Sequence, residues 1–210
     1  MIDKVRVVKR ETSKTSICGE STGNRLDDIA IMNRFGTSST GDGVGLVYQN
    51  ADGSFASANY TAISNIQLKG DISIGDVNGD KLNDIVITRS YDGPGTAYKL
   101  QVYTQGTGGV FTLKEYDTKY MTYTIKIYDF DNDNKNDILL SDIDNGCISV
   151  FYQKSDGTLD TEVTYDINQL SVSSKCSRDA LALGDFDCDG RADDVVLLSE
   201  TNPVLFIKSK

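Results

Sequence analysis

The chain has 210 residues, 39% hydrophobic and 25% charged, a length and composition that fit one sizeable globular domain or two small ones and exclude wholesale disorder. Its formal net charge of −10, with 31 acidic against 21 basic side chains, works against nucleic acid and anionic membranes as partners and favours cations. His and Trp are absent, which excludes Ser-His and Cys-His catalysis and imidazole-bound metals, and no stretch approaches the ~18 apolar residues of a membrane span.

In chain order, the first predicted strand is Lys4-Val5-Arg6-Val7-Val8-Lys9, which stands alone and carries no apolar leader core, as expected of a trimmed mature form or a chain not exported by that route. The first repeating unit, about 11–63, holds the loop Glu20, Thr22, Asn24, Leu26, Asp28, then Ile29-Ala30-Ile31, a strand at Gly45–Tyr48, the turn Asp52-Gly53 and a strand from Phe55 to Tyr60. The second, about 70–116, alternates at Ile72 and Ile74, turns through Asp76–Asp84, and continues as Ile85-Val86-Ile87, Leu100–Tyr103, Gly108-Gly109 and Phe111–Tyr116. The third, about 123–167, repeats this with Ile125, Ile127, the loop Asp129–Asp137, Ile138-Leu139-Leu140, Ile148–Tyr152, Asp156-Gly157 and Leu159–Tyr165. The fourth, about 179–210, has Leu181, Leu183, the loop from Asp185 to Asp193, Val195-Val196-Leu197 and Val204–Ile207.

The loops begin at 20, 76, 129 and 185, an even period. Each unit reads as a meander of short strands with no convincing helix, and tandem four-stranded units of ~40–60 residues are blades of a β-propeller. The expected fold is therefore an all-β single repeat domain, 1–210, of four blades. The last blade has room for the strand at 3–9, supplied within the chain or between chains, which would cover two exposed edges.

In the three strong loops, side-chain oxygens recur at the first, third, fifth and ninth positions: Asp76, Asn78, Asp80, Asp84; Asp129, Asp131, Asp133, Asp137; and Asp185, Asp187, Asp189, Asp193. Carboxylates so crowded repel unless a hard cation with oxygen ligands sits among them. The seventh-position carbonyls of Leu82, Lys135 and Arg191 add a further donor to each. All-oxygen ligation points to Ca²⁺ at about three strong sites. The first loop, with Glu20, Thr22, Asn24, Leu26 and Asp28, keeps the shape with only two carboxylates and is a degenerate fourth site. An EF-hand is excluded, because Ile87, Leu140 and Val196 stand where its twelfth-position Glu belongs. Three bound Ca²⁺ would bring the net charge from −10 to −4, which accounts for much of the acidity.

At Gly75-Asp76-Val77-Asn78-Gly79-Asp80 with Asp84, and Gly184-Asp185-Phe186-Asp187 with Asp189, Gly190 and Asp193, the sequence resembles the FG-GAP/VCBS repeat family, known from integrin α-subunit propellers. The resemblance implies a calcium-stabilised propeller, usually extracellular, that serves adhesion or ligand binding. The repeat, the metal loops and the lack of catalytic residue types lead to the expectation of a non-enzymatic structural or adhesion module at a cell surface or in secreted material. Lectin-like propellers and accessory domains of larger secreted proteins also belong to the family. The integrin Phe-Gly and Gly-Ala-Pro signatures are missing, so integrin-type recognition is not carried over.

A protein or glycan ligand is the expected partner, with self-association through the N-terminal strand as in a fibre subunit. Tyr48, Tyr103 and Tyr152 recur at equivalent places, as packed strand residues or as sugar-stacking surfaces. Glu115, Glu162 and Glu200 are acids outside the loops with no evident catalytic partner. The four cysteines, Cys18, Cys147, Cys176 and Cys188, contain no C-x-x-C pair, and they allow two disulfides in any of three pairings or free thiols. Cys176 and Cys188 flank one predicted strand and are placed to bridge.

Overall fold

The computed structural model describes residues 15–19, 28–33, 43–55, 59–61, 70–89, 98–107, 110–122, 124–142, 147–166, 181–186, 188, 190, 194–197 and 205–207. Among these residues the protein is all-β, and its strands form four antiparallel sheets, each a meander in sequence order. The first sheet holds β1 (Thr15–Gly19), β2 (Asp28–Asn33), β3 (Gly43–Val47) and β4 (Asn59–Thr61). The second holds β5 (Ile72–Gly75), β6 (Asp84–Arg89), β7 (Tyr98–Gln105) and β8 (Phe111–Thr118). The third holds β9 (Thr124–Tyr128), β10 (Asp137–Asp142), β11 (Cys147–Phe151) and β12 (Val163–Asp166). The fourth has three strands among the described residues, β13 (Leu181–Gly184), β14 (Asp194–Leu197) and β15 (Leu205–Ile207). The expected strand at 3–9 lies outside the described residues.

The sheets are stacked so that the apolar cores lie between them. One cluster joins Ala30 and Leu46 of the first sheet to Ile72, Ile85 and Ile87 of the second. The next joins Val77, Val86, Leu100 and Val102 of the second unit to Ile125, Ile138, Leu140 and Phe151 of the third. The last joins Phe130, Leu139, Ile148 and Val150 to Leu181 and Val195 of the fourth. Strand alternation produces this arrangement: in β6, Ile85 and Ile87 face one neighbour and Val86 the other, and in β10, Ile138 and Leu140 oppose Leu139. With both faces covered, a central strand must be apolar at successive positions, which is why the runs after each loop are unbroken. Each fully buried Ile or Leu contributes about 1.5–3 kcal/mol. The first strands lie side by side in turn, β1 against β5 and β5 against β9.

Two details differ from the expectation. Among the described residues, the outer strand of the second sheet is continuous, β8 pairing with β7 along its whole length. In the first and third units the pairing opens with single bridges, Gln49 to Phe55 and Gln153 to Leu159, and resumes at Leu46–Asn59 and Val150–Val163. In the third unit one extra residue on the outer strand separates bridge and ladder, the arrangement of a bulge. The tyrosines are also not all equivalent. Tyr48 and Tyr152 follow Val47 and Phe151, the partners of Ile29 and Ile138, whereas Tyr103 is itself the partner of Ile85. Thr104 therefore holds the place of Tyr48 and Tyr152, and Tyr103 that of Phe151.

Candidate metal centre

The acidic loops join the first and second strands of their sheets, and the three strong ones share a backbone feature among the described residues. The fourth and sixth loop residues are left-handed in all three strong copies: Gly79 (φ 83°) and Lys81 (70°), Asn132 (62°) and Asn134 (67°), Cys188 (62°) and Gly190 (91°). Gly and Asn tolerate this conformation, while for other side chains it costs about 1–2 kcal/mol. The first-position carboxylate holds it in place. Asp76 Oδ2 accepts from Lys81 N at 2.8 Å, Asp129 Oδ2 from Asn134 N at 2.8 Å, and Asp185 Oδ2 from Gly190 N at 3.0 Å. Asp76 Oδ1 also takes Gly79 N at 2.6 Å, and Asp129 Oδ1 takes Asp133 N at 2.9 Å. The fifth residue closes the turn, with Asp80 accepting from Leu82 N at 2.8 Å and Asp133 from Lys135 N at 2.9 Å.

A second carboxylate anchors each loop to its sheet. Asp84 is fully buried at the head of β6, and its oxygens accept from Val77 N at 3.0 Å and Gln105 N at 2.9 Å. Asp137, at the head of β10, does the same with Phe130 N and Gln153 N, both at 2.9 Å. Asp28, buried at the head of β2, accepts from Gln49 N at 2.9 Å. In the fourth unit the residue in this place is Asp194, fully buried, accepting from Phe186 N at 2.9 Å. The fourth loop is thus one residue longer before its anchor, and the extra residue falls after Gly190. Asp193, counted as the ninth position from the sequence, lies outside the described residues, as do Asp187, Asp189 and Arg191 and, in the first loop, Glu20, Thr22, Asn24 and Leu26. Counting back from the apolar run instead of forward from Asp185 would have found Asp194, because each anchor immediately precedes that run: Asp28-Ile29, Asp84-Ile85, Asp137-Ile138 and Asp194-Val195.

The loops concentrate negative charge on this frame. Carboxylate oxygens of Asp129, Asp131 and Asp137 all lie within 4.8 Å of one another. Burial, more than the neighbouring charges of Asp131 and Asp133, pushes the Asp137 carboxyl up to about 6, against the lowering effect of its two main-chain donors. Burial likewise raises Asp84 to about 6, with Asp80 and Asp76 adding to the shift. Asp131 is raised by burial and then by Asp133 and Asp129. Lys135 pairs with Asp133 and lowers its carboxyl. In the second loop, Asn78 replaces the third carboxylate, and its amide donates to Asp80 Oδ2 at 3.1 Å.

Other side chains singled out from the sequence are engaged in packing or in hydrogen bonds. Tyr48 and Tyr103 pack on the cluster between the first and second sheets, and Tyr152 on that between the third and fourth. Gln101 donates to Glu115 at 2.7 Å, and Lys119 N to Glu162 at 2.7 Å. Glu200 lies outside the described residues. Cys188 is an exposed free thiol rather than half of a bridge with Cys176, and Cys147 is buried.

Among the described residues these features define a class: an all-β chain of tandem antiparallel meanders of three or four strands, with acidic loops between first and second strands. Residues 129–206, which lie in the third and fourth units, match the family model described as an FG-GAP-like repeat. No curated protein matches the chain.

Proposed function

We propose that this protein is a non-enzymatic, calcium-binding β-propeller module, extracellular or at a cell surface, that serves adhesion, ligand binding or structural assembly. The observation that carries the reading is the convergence of Asp129, Asp131 and Asp137 within 4.8 Å, on a loop whose form recurs in two other units. The donors are all oxygen, which suits a hard cation, and a ring of several carboxylates with a main-chain carbonyl suits the larger, flexible shell of Ca²⁺ better than Mg²⁺. Asp129, Asp131, Asp133 and Asp137 with the Lys135 carbonyl would hold one ion, and Asp76, Asn78, Asp80 and Asp84 with the Leu82 carbonyl a second. In the fourth unit Asp194 joins Asp185, Asp187 and Asp189 around a third.

The stacking of first strands in turn and the cores between successive sheets support a propeller arrangement. The edge of the fourth sheet, three-stranded among the described residues, would be covered by the segment at 3–9, from the same chain or from a second copy. Extracellular Ca²⁺ modules bind at ~0.1–1 mM, so at ~1 mM ion each site adds roughly 0.4–1.4 kcal/mol. The partner is a protein or glycan, or another copy of the chain.

Calorimetric titration of the calcium-stripped protein, paired with thermal melts, tests the reading. Binding at about three sites and a rise in melting temperature on adding millimolar Ca²⁺ are expected. No heat and no rise would remove it.

A further inference from the structure

The second and third acidic loops touch. The Asn136 side-chain amide donates to the main-chain carbonyl of Asp76 at 3.0 Å, from one unit to the next. In the same loop, the Asn78 carbonyl lies against Gly157, in the turn between β11 and β12: a Cβ on Gly157 would sit 2.6 Å from that oxygen. Gly157 is left-handed (φ 77°), and its turn is fixed by bonds from Gly157 N to Lys154 O at 3.0 Å and from Lys154 N to Thr158 O at 2.7 Å. The third unit thus braces the second loop at two peptide groups, those that follow Asp76 and Asn78, the residues at its first and third positions.

Asn136 stands between Lys135 and Asp137, a carbonyl and a carboxylate with which the third loop would grip a cation. Fixing both neighbours fixes the backbone of Asn136, and with it the aim of its amide at Asp76. That contact in turn orients the peptide group next to the Asp76 carboxylate. On the calcium reading given above, we infer that the two sites are coupled: a cation in loop 129–137 prepares loop 76–84 to bind, and Asn136 is the positioning residue that carries the coupling.

Linkage is reciprocal, so a cation in the second loop raises affinity in the third by the same factor. A single neutral hydrogen bond limits that factor to roughly 2- to 10-fold. The sequence gives the coupling a range. Asn83 precedes the anchor of the second loop as Asn136 precedes that of the third, whereas Asp27 and Asp193 precede the anchors of the first and fourth. A carboxylate at neutral pH donates no hydrogen bond, so an amide brace is available to the second and third loops only.

Hydrogen exchange at the Gly79 and Lys81 amides, both bonded to Asp76, reads the second loop; the Asp133 and Asn134 amides, bonded to Asp129, read the third. The cycle comprises the full chain, Asp131→Asn, Asn136→Ala and the double variant, each titrated with Ca²⁺ alone. Asp131→Asn weakens the third loop, and it is expected to move the second loop's calcium midpoint upward by roughly 2- to 10-fold while Asn136 is present. In the Asn136→Ala background the same substitution should leave that midpoint where it is. Should Asn136→Ala not fold, Asn136→Asp, which keeps the shape and removes the donor, takes its place. A second-loop midpoint unmoved by Asp131→Asn, or moved equally in both backgrounds, overturns the coupling and leaves the calcium reading standing. No calcium-dependent protection at either loop of the unaltered chain overturns the calcium reading itself.

Discussion

The second and third loops have the same backbone and different charges. Both place left-handed residues at the fourth and sixth positions, fold the loop onto the first aspartate, and tie it to the sheet through a buried aspartate that accepts two main-chain N–H groups. They part at the third position. Asn78 donates to Asp80 and removes one repulsion, while Asp131 adds one and is raised by burial and by Asp133 and Asp129. Their shape is therefore held by main-chain donors and not by the number of carboxylates. The charge at the third position is left free to set how strongly each loop needs a cation.

The largest break in this comparison comes from the anchors. Asp84→Ala and Asp137→Ala each strand two buried N–H groups and lose two charge-assisted hydrogen bonds. Each should lower the unfolding free energy by about 2–4 kcal/mol in denaturant titrations without calcium. The two losses should agree closely, because the anchors make the same bonds. A large loss at one and none at the other would show that the loops are not held alike.

A smaller effect is read from pH. The anchors ionise at about 6 in the folded protein, against an ordinary carboxyl value of 3.8. Between those values the folded state binds more protons than the unfolded one, so this contribution to stability is fully present below about 4 and is lost as pH rises through 6. Calcium-free melts should show that loss, at most about 1.4 kcal/mol per pH unit for each anchor. Saturating Ca²⁺ selects the ionised carboxylates and should reverse the slope. The difference between the unaltered chain and Asp84→Ala isolates one anchor, and an identical pH profile for the two would contradict the assignment.

Much of this was legible in the sequence because two periodicities agree. The two-residue alternation marks strands, and the recurrence of acidic turns marks units, so the four sheets and the positions of the second and third loops follow from the residues alone. What escaped depends on single insertions. Asp194 takes the anchor's place because one residue enters the fourth loop after Gly190, and a fixed count from Asp185 cannot register it. Tyr103 differs from Tyr48 and Tyr152 by one step of register, which a repeat alignment by aromatic residues hides. The contact of Asn136 with Asp76 joins side chain and carbonyl 60 residues apart, and only the stacking of sheets creates it.

The finest test exchanges the third positions. Asn78→Asp removes the amide that bonds Asp80 and adds a fourth carboxylate to the second loop, so the calcium-free protein should lose about 0.5–1 kcal/mol while calcium binds more tightly at that loop. Asp131→Asn should do the reverse in the third loop: less repulsion without the ion, weaker binding with it. The two substitutions leave the first-position and anchor bonds in place, so any change in stability comes from the charge at one position on an unchanged frame. Melts with and without Ca²⁺ separate the two halves of each effect. If both variants shifted stability the same way in the absence of calcium, the third position would be acting on backbone shape, and the division between frame and charge would fail.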